Sequence, residues 1–170
     1  MTVKEALTAA GIVPNPEYTG VETADDMVLG VQTESTGQET PDLYVVVQEH
    51  VTEHSGAINA SSSDTAYIRT GTVTTKTGAQ RQITINGERF AGDDFQDFAL
   101  SNKMLFATGK DAEVNYVYFS LRTGKGEQGK AVLMVSSDAS GGANNPAGFS
   151  AQLNAVGKPK EYTYSDSVGG

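Results

Sequence analysis

From Met27 onwards the chain consists of short segments rich in valine, threonine, tyrosine and isoleucine, separated by clusters of glycine, asparagine, aspartate and serine. β-Branched and aromatic residues favour strands, and the small polar clusters favour turns between them. The predicted strands are 27–33, 43–51, 65–75, 81–86, 113–122, 130–137 and 149–156. In 149–156 every second residue is polar, which predicts one face on a core and one polar face. The pattern therefore predicts a mainly β fold.

One helix is predicted among the strands, over 93–101. Asp93 and Asp94 supply a cap and a first-turn carboxylate, both of which suit the positive end of a helix dipole. Phe95 and Phe98 fall at the spacing of one apolar helix face. We therefore expect these two rings to seal the helix against the sheet.

The length of 170 residues suits one domain with irregular ends. We divide the chain into an N-terminal arm at 1–26, with a short helix near its start, a β domain at 27–164, and a flexible C-terminus at 165–170. Within the domain, 50–64 is rich in serine, glycine and asparagine and is predicted to be an extended loop. Long loops are often ordered by a partner, although disorder is the ordinary alternative.

The distribution of charge argues against a nucleic-acid-binding protein. The formal net charge is −9; residues 1–64 contain eleven acids and one base, and the remainder contains ten acids and eleven bases. DNA binding relies on lysine and arginine to displace counterions from phosphates. An acidic chain is ordinary among bacterial proteins, but the imbalance would also suit copies that stack an acidic face on a more basic one.

The absence of cysteine excludes disulfides and thiolate metal sites, so packing, backbone pairing or association must stabilise the protein. No apolar run of membrane-spanning length and no secretion signal is present. We expect a soluble protein without a membrane partner.

Two strings match catalytic or cofactor motifs without the required context. His50-Val51-Thr52-Glu53-His54 spells H-x-x-E-H, but a zinc site of that kind requires a helix, and the string follows a strand-like run. Solvated loop residues are the simpler interpretation. The segment 124–129 spells G-x-G-x-x-G, but a strand follows it where a dinucleotide site requires a helix. It is better interpreted as a hairpin turn joining 113–122 to 130–137. We predict no catalytic residues, no metal and no cofactor.

In their order, several strings in 65–164 resemble the major tail tube proteins of long, non-contractile-tailed phages, especially those of Gram-positive hosts. The strings that carry the resemblance are Tyr67-Ile68-Arg69, Gly92-Asp93-Asp94-Phe95-Gln96-Asp97-Phe98, Tyr116-Val117-Tyr118-Phe119, the glycine-rich segment 123–129, Ser137-Asp138-Ala139-Ser140-Gly141, and the strand 149–153 followed by Gly157-Lys158-Pro159.

The resemblance implies a β-sandwich or half-barrel with one flanking helix, six copies of which form a ring with a continuous inner β-barrel. Stacked rings would form a tube in the virion tail, assembled in the host cytoplasm, through which double-stranded DNA passes without specific binding. Tape measure, tail terminator and tip proteins would be its partners. Exposed sheet edges favour such assembly, because unpaired backbone groups invite a neighbouring strand.

Candidate residues follow from this expectation. The lumen would be lined by polar strand faces, for which the candidates are Gln48, Glu49, Ser150, Gln152 and Asn154. Ring-to-ring contacts would come from the arm before Met27 and from the predicted loop, with the candidates His50, Glu53, His54, Asn59 and Asp64.

Two other functions remain open at this point. The inner tube of a contractile or secretion-type injection apparatus shares the fold class. A β-sandwich carbohydrate-binding adhesin would need an exposed aromatic platform, but the chain has no tryptophan.

Overall fold

The computed structural model describes residues 1–34 and 43–165. Its seven strands form one antiparallel sheet in the order β2-β1-β5-β6-β7-β4-β3. The strands are β1 (Met27–Gln32), β2 (Tyr44–Val46), β3 (Val51–Tyr67), β4 (Gly71–Glu88), β5 (Glu113–Ser120), β6 (Lys125–Ser140) and β7 (Gly148–Thr163). The helices are α1 (Val3–Ala10), α2 (Asp94–Ala99) and α3 (Asn102–Leu105). The predicted mainly β fold is confirmed.

The sheet curls around its core. The rings of His54 on β3 and Tyr118 on β5 lie edge to face with centroids 6.0 Å apart. In a flat sheet the four strand spacings between β3 and β5 would separate them by about 19 Å. The two ends of the sheet must therefore bend toward each other, which gives the half-barrel form and leaves a seam between β1 and β3.

The main core lies on the concave face, covered by α2 and α3. Phe95 is fully buried there and lies edge-on to Phe149, with ring centroids 6.2 Å apart. Phe98 is partly buried at the margin of the same cluster. The Asp93 carboxylate caps α2 by accepting from the Gln96 backbone N–H at 2.8 Å.

A second cluster lies on the opposite face, under α1. Val3 and Leu7 of α1 pack there on Val117 and Phe119 of β5. Since alternate residues of β5 face the main core, this strand is buried on both sides. The start of the predicted N-terminal arm is thus folded onto the sheet, and Thr2 bridges Val45 at the edge of β2.

The helix predicted over 93–101 is present as α2, and a second short helix, α3, follows it directly. α2 ends at Ala99, and the Ser101 hydroxyl accepts from the Met104 backbone N–H at 3.3 Å, which starts α3. The reason is local: a serine that caps a new helix turn competes with continuation of the old one.

The prediction of an extended loop over 50–64 was wrong, since 51–67 is strand β3. The serine-rich composition of this segment does not favour a strand. Backbone hydrogen bonds to β4, from Val51 opposite Gly87 to Tyr67 opposite Gly71, stabilise the strand nevertheless. The predicted strand 65–75 was wrong for a related reason, because it spans the turn between β3 and β4. That turn lacks a glycine or proline until Gly71, so its composition gives no turn signal.

The glycine-rich segment 124–129 belongs to a hairpin, as expected, but the turn ends earlier, at Gly124, and β6 begins at Lys125. Gly126 lies opposite Phe119, where an added Cβ would be 2.1 Å from the carbonyl oxygen of Tyr118. Because glycine has no Cβ, the two strands can approach closely at this position. Of the predicted flexible C-terminus, 166–170 lies outside the described residues.

Candidate assembly surfaces

The most prominent surface feature is a two-stranded hairpin that leaves the body of the sheet. β4 pairs with β7 from Gln82 to Glu88 only. Beyond that point β3 and β4 pair only with each other, and every residue from 57 to 80 is exposed. We call residues 57–80 the hairpin arm. Eleven residues of β3 within it correspond to a projection of about 35 Å.

The turn of the hairpin arm presents hydrophobic side chains to solvent. Ile68 is 102% exposed and Tyr67 is 56% exposed, and Val73 lies on the adjacent strand. Large hydrophobic side chains grouped at a projecting tip are typical of a contact site for another protein surface. Asn59 and Asp64, two of the candidates for ring-to-ring contacts, both lie on this arm.

A polar ladder covers the convex face of three neighbouring strands. The Ser150 hydroxyl donates to Asn86 Oδ1 at 2.8 Å, and the Asn86 amide donates to Glu53 Oε2 at 3.2 Å. Farther along, the Gln82 amide donates to Gln152 Oε1 at 3.3 Å. We define the polar ladder by these five residues.

The ladder faces away from the core because its members alternate with buried residues of β4 and β7, such as Ile85 and Leu153. Hydrogen bonds from the Ser55 hydroxyl and the Asn86 amide lower the pKa of the Glu53 carboxyl. Glu53 is therefore ionised at neutral pH, and it makes this mostly uncharged face weakly anionic.

The structure separates the lumen candidates into two groups. Ser150, Gln152 and Asn154 lie together on the convex face of β7. Gln48 and Glu49 do not join them, because β2 ends at Val46 and both residues lie in the connection to β3. The strand predicted over 43–51 was therefore too long: the chain turns at His50, which has a positive φ of 54°.

His50, Glu53 and His54 do not form the geometry of a zinc site. The His50 ring stacks on Phe90 with centroids 4.6 Å apart, while His54 faces Tyr118. Strand alternation directs Glu53 and His54 to opposite faces of the sheet. Among the described residues, no group of three or more histidine, cysteine, aspartate or glutamate side chains is placed to hold a metal ion.

Sequence reasoning missed the residue that joins α2 to the ends of β3 and β4 farthest from the hairpin arm. Gln96 of α2 is fully buried, and its amide donates to the carbonyl oxygens of Glu49 at 3.0 Å and Glu88 at 3.1 Å. Its Oε1 accepts from the Phe90 backbone N–H at 2.9 Å. Gln96 thus fixes the start of β3 and the end of β4 to α2. In the sequence, a glutamine next to Phe95 on the predicted helix was the one sign of a buried polar contact. Only the folded chain shows which carbonyl oxygens it contacts.

A second missed cluster lies on the concave side near the arm. Arg81 makes a two-point ion pair with Glu127, at 2.6 and 2.9 Å, and its guanidinium lies over the Tyr118 ring. The Tyr116 hydroxyl donates to the same carboxylate at 3.1 Å, and burial raises the pKa of that phenol. These contacts join β4, β5 and β6 at the point where the hairpin arm departs from the sheet.

In the described part of the chain, no helix is long and apolar enough to cross a membrane.

No protein-family model matches the sequence, and no curated protein matches it significantly. Solved structures do match the fold. One is a chain from the tail of an empty gene transfer agent particle, computed with helical refinement and C6 symmetry, with a TM-score of 0.54 and 15% identity. The match covers 85% of this chain and 100% of that chain. Another is a chain from the virion of a native gene transfer agent particle, with a TM-score of 0.54 and 12% identity. That match covers 84% of this chain and 100% of the other chain. This chain therefore has the fold of chains found in gene transfer agent particles, one of them from a particle's tail.

Proposed function

We propose that this chain is the structural subunit of a phage-type tail tube. Copies associate into six-membered rings, the rings stack, and the enclosed channel carries double-stranded DNA. The role is structural and not catalytic. The tube belongs to the virion and is assembled in the host cytoplasm, where tape measure, terminator and tip proteins are its partners.

The observation that carries the proposal is the hairpin arm. A two-stranded hairpin exposed on both faces is marginally stable in water, so an arm of about 35 Å gains its order from a partner. The likeness in fold to a chain of a C6-symmetric particle tail supports an identical copy as that partner.

Open strand edges support lateral association of copies. β3 forms one end of the sheet, and β7 continues from Ala155 to Thr163 beyond its last pairing with β4. Unpaired backbone donors and acceptors along an edge favour pairing with a strand of a neighbour. A head-to-tail contact of this kind closes into a ring when its rotation permits closure.

The polar ladder and the net charge of −9 support the passage of DNA. A wall of amides, hydroxyls and carboxylates stays hydrated and offers few cations to phosphate, so it does not retain a duplex. We propose Ser150, Gln152 and Asn154 for the lumen, and the hairpin arm, with Asn59 and Asp64, for contacts between rings. We assign the tube to a tail of the long, non-contractile type. The inner tube of a contractile apparatus would have the same polar lumen and the same contacts between rings.

The test uses electron microscopy of the purified chain at high concentration, alone and with its tail components. We expect hollow filaments or six-membered rings. A variant in which Asn-Gly replaces residues 60–79 joins the paired Asn59 and Gln80 by a two-residue turn. This variant is expected to keep its core, seen as a cooperative thermal unfolding transition, and to form no filaments.

A wild-type chain that stays monomeric under all these conditions would overturn the tube. If the shortened variant formed as many filaments as the wild type, the hairpin arm would not take part in the contact between copies.

A further inference from the structure

A cavity of about 360 Å³ lies at the seam of the curled sheet, beneath α1. We call it the seam cavity. Its wall includes residues of α1, β1, β2 and the first residues of β3, and its apolar members include Leu7, Ala10, Val28, Val46 and Val51. The volume falls within the range of natural binding pockets and is sufficient for one or two large side chains.

The polar part of the seam cavity has two features that suit a cationic partner. Asp25 lies in its wall, is exposed, and makes no ion pair with any described residue. His54 Nδ1, in the same wall, is buried and has no hydrogen-bond partner. Buried polar atoms are nearly always paired, so this nitrogen is available to accept a hydrogen bond from a group that enters the cavity.

The tip of the hairpin arm presents complementary chemistry. Ile68 is fully exposed next to the half-exposed Tyr67, and Arg69 follows in the turn. Among the described residues, none forms an ion pair with Arg69. The tip thus combines two hydrophobic side chains with one unpaired cation, and the seam cavity combines an apolar wall with an unpaired anion.

The two sites lie at opposite ends of one strand. β3 starts at Val51 in the cavity wall and ends at Tyr67 at the tip. Sixteen residue steps of a strand span about 50 Å, so the tip of a copy does not reach its own cavity. A contact between unlike sites at opposite ends of a molecule joins copies head to tail, and it produces an open filament when its rotation does not close a ring.

We propose that the arm tip of one copy docks in the seam cavity of the next copy along the tube axis. Ile68 inserts among the apolar residues beneath α1, and Arg69 pairs with Asp25 at the cavity mouth. This inference rests on the proposed tube function and deepens it, because it names the acceptor surface for the arm. It also divides the candidates for ring-to-ring contact, since Asn59 and Asp64 lie on the inserting arm and His54 lies in the wall of the acceptor cavity.

Charge reversal tests the pairing. Arg69→Asp and Asp25→Arg should each raise the protein concentration needed for filament formation by at least about tenfold, because like charges then face each other at the contact. The double variant Arg69→Asp/Asp25→Arg should restore filaments. Lys76→Asp is the matched control, since it makes the same charge change on the flank of the arm and should leave filaments intact.

Cysteine cross-linking tests the geometry directly, since the chain has no cysteine of its own. The pair Ile68→Cys and Ala10→Cys should form disulfides between copies under oxidation and give a ladder of oligomers that reductant removes. The pair Ile68→Cys and Phe106→Cys is the control, because Phe106 is exposed but does not line the cavity. A disulfide forms only where the two Cβ atoms approach to about 4 Å.

The docking assignment would be overturned if both cysteine pairs gave equal ladders of cross-linked oligomers. It would also be overturned if Arg69→Asp alone assembled normally while the double variant stayed unassembled. Neither result would overturn the tube itself. Failure of the wild type to form any ring or filament would overturn the tube.

Discussion

At the scale of single residues, buried polar groups hold together segments that the strand pattern alone does not connect. Asp26, at the start of β1, is 5% exposed and accepts hydrogen bonds from the Thr23 backbone at 2.8 Å and from Arg122 at 2.8 Å. Its own carbonyl oxygen accepts from the Leu121 backbone N–H at 2.6 Å. One aspartate thus joins the N-terminal segment to the hairpin turn between β5 and β6.

This arrangement predicts a pH dependence of stability. The Thr23 backbone hydrogen bond, with further bonds from Arg122 and the Thr23 hydroxyl, holds the pKa of the Asp26 carboxyl below its ordinary value of 3.8. A lowered pKa in the folded state means that the carboxylate stabilises the fold above about pH 3.8 and that this contribution is lost as the pH falls through the folded-state pKa. Asp26→Asn should therefore be less stable than the wild type in urea denaturation at pH 7, and the difference should shrink at pH 3.

Asp64→Asn, which changes an exposed carboxylate of the hairpin arm, serves as the control and should match the wild type at both pH values. A difference for Asp26→Asn that stays constant from pH 7 to pH 3 would contradict the assigned role of the carboxylate.

At the scale of secondary-structure elements, the same strand has two different environments. β4 from Gln82 to Glu88 lies between β3 and β7, and Ile83 and Ile85 are fully buried. From Gly71 to Gln80 it has only one neighbour, β3, and is exposed on both faces. Burial of apolar area and pairing on both edges stabilise the first part, whereas the second part has neither.

Hydrogen exchange should resolve these two parts of β4. In the unassembled chain, amides of the hairpin arm should exchange far faster than those of 82–88, because local opening of the arm does not require the core to unfold. In filaments the arm amides should become protected to a similar extent as those of 82–88. Mass spectrometry of both states measures this, with β7 residues 149–154 as the internal reference. Arm amides that stay equally fast in filaments would show that the arm is not part of the contact.

At the scale of the whole molecule, the two edges of the curled sheet differ in whether another segment covers them. The edge at β2 is partly covered by the chain's own start, since the Val46 backbone N–H donates to the carbonyl oxygen of Met1 at 3.1 Å. The edge at β3 carries the arm, and in the described residues no strand pairs with its outer side. This asymmetry suits a head-to-tail contact between copies better than a symmetric dimer.

Association of this kind predicts that stability depends on protein concentration. A contact that only the folded chain makes raises the apparent stability by mass action. The melting temperature of the wild type should rise by several degrees as its concentration is raised through the assembly threshold. That of the variant with residues 60–79 replaced by Asn-Gly should not change. Scanning calorimetry over a concentration series measures both, and equal slopes for the two proteins would contradict assembly through the arm.

What the sequence determined by itself is the local part of the fold. Alternation in 149–156 predicted β7, the Asp93 cap predicted the start of α2, and the glycines after β5 predicted a hairpin, because each signal depends on residues close together in the chain. Only the tertiary structure decided the rest. The serine-rich segment 51–67 has weak intrinsic preference for a strand and becomes one through its pairing with β4. The curl, the buried contacts of Gln96 and the seam cavity likewise depend on contacts between residues far apart in sequence, which local patterns do not specify.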